Sequence, residues 1–200
     1  MQYALPLVLP DVPAGGVCAG IDWATAGHVA CVAGMTGRVT DRFSAAHDKA
    51  GIAGQLAAHP DRHIFTSLPR PGTVRAARLL AETGDCRPRF PDPESLAGLA
   101  GVAPVTRRSG TRIAHGFRWA VNRQLRDALC DFAAGSRHAS PRAAALYDDA
   151  RARGKDHPLA VRITARAWTY VIWRCWHDGT GYDPAKHHAL QAVLARQQDQ

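Results

Sequence analysis

A chain of 200 residues with 46% apolar content holds one or two small domains with a sizeable core, which excludes wholesale disorder. Its formal charge of +8 and pI near 9.8 point to a polyanionic partner, nucleic acid first, although ribosomal proteins and proteins of anionic membrane surfaces share that balance. No apolar run approaches the roughly 20 residues that span a bilayer, so no membrane partner is expected. Residues 1–16 lack a basic start and are broken by Pro6 and Pro10; they read as a flexible lead rather than a signal peptide. The five cysteines (Cys18, Cys31, Cys86, Cys130, Cys175) are widely spaced, odd in number and in no metal-ligand pattern with histidine. Reduced thiols in a cytoplasm are the expectation.

The first organised piece begins with Val17–Trp23, a buried strand carrying Asp22 near its end. A turn near residues 25–27 leads to a second strand over His28–Ala33. Gly34–Gly37 makes a tight hairpin connection, and Arg38–Phe43 alternates as a third strand. Asp48–His59 then places Ile52 and Leu56 at helical spacing.

The second piece is mainly helical. Thr73–Thr83 sets Val74, Ala77, Leu80 and Ala81 on one face, with Gly84 as its stop. Asp92-Pro93-Glu94 starts a short helix that ends at Gly101. Ala103–His115 has no periodicity and reads as a loop or irregular hairpin. Trp119–Ala134 turns Val121, Leu125, Ala128, Leu129 and Phe132 inward, and Pro141–Ala152 is another helix. Pro158–His177 is the longest, with Leu159, Ile163, Ala167 and Tyr170 inward and Arg162, Arg166 and Arg174 available to a partner.

Three places carry candidate chemistry. Asp22 lies on the first strand of a strand-strand-strand-helix unit, where RNase H-like nucleases place a ligand for a hard cation. An acid that merely ends a strand is the competing reading. The Pro/Gly turn around Arg70 and Gly72 opens a helix whose free N–H groups suit a phosphate, in the manner of a helix-hairpin-helix. An ordinary helix start with solvated arginines competes with it. Ser109 opens the most arginine-loaded part of the chain: Pro104–Cys175 holds fourteen Arg or Lys and five Asp. Arg107, Arg108 and Arg112 flank it, and guanidinium groups match phosphate oxygens as paired donors. His115, the histidine close to it in sequence, is a candidate to accept its proton only if the loop folds back, and a surface histidine is the competing reading. Residue chemistry alone favours a polar turn beside a nucleic-acid-binding face, because Ser-Gly pairs mark turns widely. Arg123, Arg126, Arg162 and Arg166 extend that basic face.

Residues 67–184 resemble the C-terminal domain of the insertion-sequence transposases of the one-ten (or one-sixteen) family, the RNA-guided bridge recombinases. The resemblance lies in Ser67-Leu-Pro, Gly72-Thr-Val-Arg-Ala-Ala-Arg-Leu-Leu-Ala-Glu82, Arg89-Phe-Pro91, Leu99–Pro104 and Arg108-Ser-Gly110. It continues through Asn122–Arg126, Arg153-Gly-Lys155 and Trp176–Pro184. Gly20-Ile-Asp-Trp-Ala24 separately resembles the start of the same family's RuvC-like domain. The resemblance implies that Ser109 is a nucleophile forming a phosphoserine link to DNA. It implies that Asp22 is the first of four acidic ligands for Mg²⁺. A guide RNA and an oligomer follow from it as partners.

The departures are specific. The family's RuvC-like domain continues for many residues and supplies a Glu and two further Asp. Here the chain passes from His63-Ile-Phe65 almost directly to Ser67-Leu-Pro69, and its glutamates are Glu82 and Glu94. It therefore reads as an internally deleted copy that binds Mg²⁺ weakly and associates with its own copies or a full-length transposase. At Pro69-Arg-Pro-Gly72 a Pro-Gly-aliphatic-Gly turn is expected. The fold class expected is α+β. A partial RNase H-like hairpin sheet and helix occupy residues 17–64, a mainly helical serine transposase domain with a helix-hairpin-helix-like start 65–184, and a tail 185–200.

Overall fold

The computed structural model describes residues 17–23, 27–34, 38–46, 48–109, 112–117 and 120–187. The architecture is α+β, and the chain divides into two units between Gln55 and Leu56. In the first unit β1 (Val17–Trp23), β2 (Gly27–Gly34) and β3 (Val39–Ala46) form an antiparallel meander in the order β1-β2-β3. The expected strand-strand-strand-helix order holds, with α1 (Lys49–Ala58) following. Its two connections at residues 25–27 and 34–37 lie largely outside the described residues. A register shift between Val32 and Ala33 bends the β2–β3 pairing, and Ala30 and Ala33 are buried.

Leu56 at the end of α1 already belongs to the second core, together with Ile64 and Phe65 of α2 (Arg62–Thr66). That is the physical reason the division falls earlier than the expected 64/65 boundary. The second unit continues with α3 (Gly72–Thr83), α4 (Pro93–Leu99), the ribbon β4 (Pro104–Ser109) and β5 (Arg112–Phe117), α5 (Arg123–Ser136), α6 (Pro141–Ala152) and α7 (His157–Asp178). Helices α4, α5 and α6 all pack on α7. The caps follow the sequence signals. Asp92, Asn122, Ser140 and Asp156 each accept a backbone N–H from the third residue beyond, and Pro stands at the start of α4, α6 and α7. Gly179 closes α7 in the left-handed conformation, φ 64°.

Three expectations need correction. Helix α5 starts at Arg123, four residues after the expected Trp119, because Asn122 caps it and its backbone N–H is tied to the Leu99 carbonyl at 2.9 Å. Helix α3 buries Ala76, Leu79, Leu80 and Thr83, whereas Val74 is 50% exposed. Helix α7 is central rather than one-sided. It buries Val161, Thr164, Ala165, Trp168, Thr169, Ile172 and Trp176, leaving the expected Leu159, Ile163, Ala167 and Tyr170 half-buried on its flanks. Thr164 and Thr169 enter the core because their hydroxyls donate back to the Ala160 and Ala165 carbonyls at 3.1 and 2.9 Å.

Candidate functional site

The aperiodic stretch around Ser109 folds as the hairpin alternative. Strands β4 and β5 pair antiparallel with Ser109 opposite Arg112, Arg108 opposite Ile113, Arg107 opposite Ala114 and Thr106 opposite His115. Ser109 and Arg112 are thus the last pair of the ladder. Strand alternation assigns positions 107, 109, 112 and 114 to one face of the ribbon, and 106, 108, 113 and 115 to the other. Two of the three arginines nearest in sequence share the face of Ser109. His115, expected as a proton acceptor, holds a position on the opposite face.

The base of the ribbon is fixed by main-chain bonds. Val102 and Ala103 donate to the Ala97 carbonyl at 3.1 and 3.3 Å, and Asn122 donates to Leu99 on the return. Both arms therefore spring from the C-terminal end of α4.

Asp22 pairs with Val29 of β2, and Val29 pairs with Ser44 of β3. That row brings no second carboxylate beside it. Asp41 lies three residues from Ser44, about 10 Å along the strand, and its carboxylate accepts the Arg42 backbone N–H at 2.7 Å. One carboxylate with Val and Ser neighbours does not fit a hard cation that takes six or more oxygens. The glutamates are engaged inside the second unit: Glu82 accepts from Asn122 at 3.4 Å and Glu94 from Arg166 at 2.7 Å.

The remaining expected arginines fall into different environments. Arg70 has φ 53°, the one non-glycine residue with positive φ among those described. A left-handed side chain costs about 1 kcal/mol there. Gly72 starts α3 with φ 64°, and the cap position, Pro71, supplies no side-chain bond to the first turn. Arg70 lines a cavity of about 350 Å³ with His138 and the Arg75–Asp131 ion pair, which is bidentate at 2.7 and 3.1 Å. Arg123 is exposed at the start of α5. Arg126 and Arg162 both act on the Cys130 thiol, which burial pushes up and the two arginines pull down less strongly.

Arg166, expected to be available to a partner, is instead paired with Glu94 and hydrogen-bonded to Tyr170. Arg174 is likewise paired with Asp178 at 2.7 Å. Hydrogen bonds from Tyr170 and then Arg166 hold the Glu94 carboxyl below its ordinary range. Glu94 is half-exposed, at 52%, so screening limits the pair to a few tenths of a kcal/mol. A lowered folded-state value gives stability that is present above the unfolded carboxylate's titration and lost as pH falls through the folded one. Glu94→Gln is expected to cost about 0.5 kcal/mol at pH 7, and the difference in melting temperature should shrink below about pH 4.

Sequence reasoning missed one polar cluster. His59, Asp61 and Asp85 bring ligand-type atoms within 4.8 Å of one another. The bonding disfavours a metal. Asp61 accepts from Arg87 at 2.8 Å and from the Trp176 indole at 3.1 Å, so both its oxygens are engaged. His59 Nδ1 accepts the Asp61 N–H at 3.1 Å, which leaves the ring proton on Nε2, facing Asp85 at 3.0 Å. Arg87 also donates to the Trp176 carbonyl at 2.9 Å and lies over its ring at 5.0 Å. Trp176 was visible in the sequence motif, but nothing near Asp61 announced a partner 115 residues away.

By its sequence the second unit belongs with the transposases of insertion sequences: the family model described as "Transposase IS116/IS110/IS902 family" matches residues 62–148. The chain belongs to that IS116/IS110/IS902 family through this domain. It is 40% identical over 137 residues to the "Insertion element IS110 uncharacterized 43.6 kDa protein" of Streptomyces coelicolor, covering 68% of this chain and 33% of that protein. The "Mini-circle putative transposase for IS117" of the same organism shows the same identity and coverage. The "Insertion element IS900 uncharacterized 42 kDa protein" of Mycobacterium paratuberculosis is 35% identical over 136 residues, 67% of this chain and 34% of that protein. The chain spans about a third of the length of the curated relatives it matches. Among the described residues no helix is long and apolar enough to cross a membrane.

Proposed function

We propose that this chain acts on DNA as part of an insertion-sequence transposition apparatus, with Ser109 as the strand-breaking nucleophile. The carrying observation is the register of the ribbon: Ser109 opposite Arg112, with Arg107 on the same face, in a chain of net charge +8. Attack by the serine oxygen on a phosphodiester forms an O–P bond and breaks the P–O bond to one deoxyribose, whose oxygen takes up a proton. Arginines suit the charge that accumulates on the phosphoryl oxygens. They are poor bases, so the serine proton needs an acceptor from outside positions 107, 112 and 114. Arg70, Gly72, Arg108, Arg123, Arg126 and Arg162 are proposed as backbone contacts, with Gly72 and the uncapped start of α3 in a helix-hairpin-helix-like role. Arg166 contributes only by leaving Glu94.

Asp22 corresponds, by resemblance, to the first metal ligand of a RuvC-like site. Its β1–β3 surroundings add no further carboxylate at its row, so Mg²⁺ is expected to bind weakly and the isolated chain is expected not to break and join DNA. The same observation favours a second reading, a non-catalytic nucleic-acid-binding or assembly fragment that joins a full-length transposase and its guide RNA, as an oligomer in the cytoplasm.

Complementation separates these readings. A full-length family member with its own serine replaced is mixed with insertion-sequence DNA, Mg²⁺ and this chain. Covalent protein–DNA adducts with the wild-type chain and none with Ser109→Ala support the nucleophile. Absence of adducts with both, while binding persists, supports the assembly fragment. Adducts with Ser109→Ala overturn the serine assignment, and strand joining by the chain alone overturns its deficiency.

A further inference from the structure

A cavity of about 250 Å³ lies between the turn after α2 and the start of α6, lined by Ser67, Pro69, Ser140, Pro141, Arg142 and Tyr182. Among its described lining residues Arg142 alone is charged. Its Nε is buried without a hydrogen-bond partner, and no carboxylate among the described residues pairs with its guanidinium. Burial weakens its hold on its proton, against a lesser opposing influence from Tyr182.

Other arginines of this unit are compensated. Arg75 rests on Asp131, Arg87 on Asp61, Arg126 on Asp127 and Arg166 on Glu94. Arg137, whose Nε is also unpartnered, lies over the Tyr147 ring at 4.5 Å.

The hydroxyls of the cavity are committed to holding its walls. Ser67 donates to the Ile64 carbonyl at 2.6 Å and accepts the Tyr182 N–H at 2.7 Å. Ser140 caps α6 through its hydroxyl, which accepts the Ala143 N–H at 3.4 Å. The result is a fixed concave wall around a partly desolvated cation that has no anion. Such a cation costs free energy that an entering oxyanion would relieve, and the guanidinium fork matches two oxygens of one phosphorus.

We propose that this cavity binds a phosphate group of a nucleic-acid backbone, through Arg142 rather than through Ser109. The proposal rests on the nucleic-acid reading above. The volume favours a backbone phosphate over an enclosed ligand: it falls short of the roughly 300–1,000 Å³ typical of pockets that swallow a small molecule.

The test compares the full chain with Arg142→Gln and Arg142→Lys. Thermal unfolding is followed with and without inorganic phosphate, and duplex DNA binding is followed across a salt series. Arg142→Gln is expected to unfold at the same or a higher temperature without ligand, because it removes a half-buried cation that no carboxylate among the described residues pairs with. Phosphate should raise the melting temperature of the wild type and of Arg142→Lys more than that of Arg142→Gln. DNA affinity of Arg142→Gln should fall about 3- to 10-fold, and the slope of log K against log salt should flatten by about 0.7–0.9, one phosphate contact.

An equal phosphate response in all three proteins overturns the site. So does a lower unliganded melting temperature for Arg142→Gln, which would make the guanidinium structural. A phosphate response specific to Arg142 with unchanged DNA binding overturns the backbone source in favour of a free phosphate compound. Affinity lost by Arg142→Gln in a Ser109→Ala background supports the cavity whatever becomes of the nucleophile.

Discussion

Replacing Asp61 with alanine is expected to destabilise the second unit by about 2–4 kcal/mol, a fall of roughly 5–12 °C in melting temperature. Asp61 is 9% exposed and accepts from two separate elements, Arg87 after α3 and the Trp176 indole on α7. Removing it strands a guanidinium over a fully buried ring and leaves an indole N–H without an acceptor. The loss is mostly the desolvation of the partners left behind and only secondarily the attraction of the pair. Arg87 is one-third exposed, which keeps the figure below that of a fully buried pair. Arg87→Met should cost less than Asp61→Ala, because the aliphatic stem still covers Trp176 and Asp61 keeps the indole bond. The double variant should fall well short of additivity. Chemical denaturation of the four proteins checks this, and additive losses would mean that Arg87 and Asp61 act independently.

This cluster bears on what the sequence could reveal. The Asp92 cap was legible because it is local, standing immediately before Pro93 and Glu94, whereas Asn122 lay inside the expected helix and its cap was not. The three-strand order was legible through alternation and turn residues. The burial pattern of α7 was not, since a helix flanked by α4, α5 and α6 is covered on several sides and a single apolar stripe is the wrong template. The Trp176–Tyr182 motif was legible as a pattern but not as a role. In the fold it is a tie: Trp176 reaches Asp61, Gly179 ends α7, and the Tyr182 N–H returns to Ser67. His63 adds to the tie, its ring nitrogens lying 3.1 Å from the Pro60 carbonyl and 3.0 Å from that of Gly179.

The candidate site was legible in residue type and hidden in pairing. Nothing in the Arg-Arg-Ser run states that Arg112 sits opposite Ser109 or that position 115 falls on the other face; the ladder decides that. Arg166 looked identical to Arg162 in the sequence, yet Glu94, 72 residues away, claims it. Charge counting measures how much basic surface exists. Only the fold shows which cations are already matched.

Gly101→Ala is the second large expected effect, about 2–4 kcal/mol, and it tests how the ribbon is held. Gly101 has φ 65°, and a Cβ there would meet Val121 Cγ1 at 2.6 Å and Val121 Cβ at 3.1 Å. The left-handed backbone costs an alanine about 1 kcal/mol, and the clash adds the cost of moving Val121. Val121 precedes Asn122, whose side chain caps α5 and whose N–H is tied to Leu99. Displacing it therefore spreads or tilts the two arms that carry positions 109 and 112. Val121→Ala alone should cost less, about 1 kcal/mol, because Val121 is half-buried. Combined with Gly101→Ala it should restore part of the lost stability by opening the space the new methyl needs. Thermal unfolding of the three variants, with Ser109-dependent adduct formation measured in parallel in the complementation mixture, gives the decisive comparison. If Gly101→Ala lowers the melting temperature and the Val121→Ala partner restores both stability and adducts, the clamp at the foot of the hairpin positions Ser109. Recovered stability without recovered adducts would show that the hairpin takes its working geometry from the DNA and not from its root.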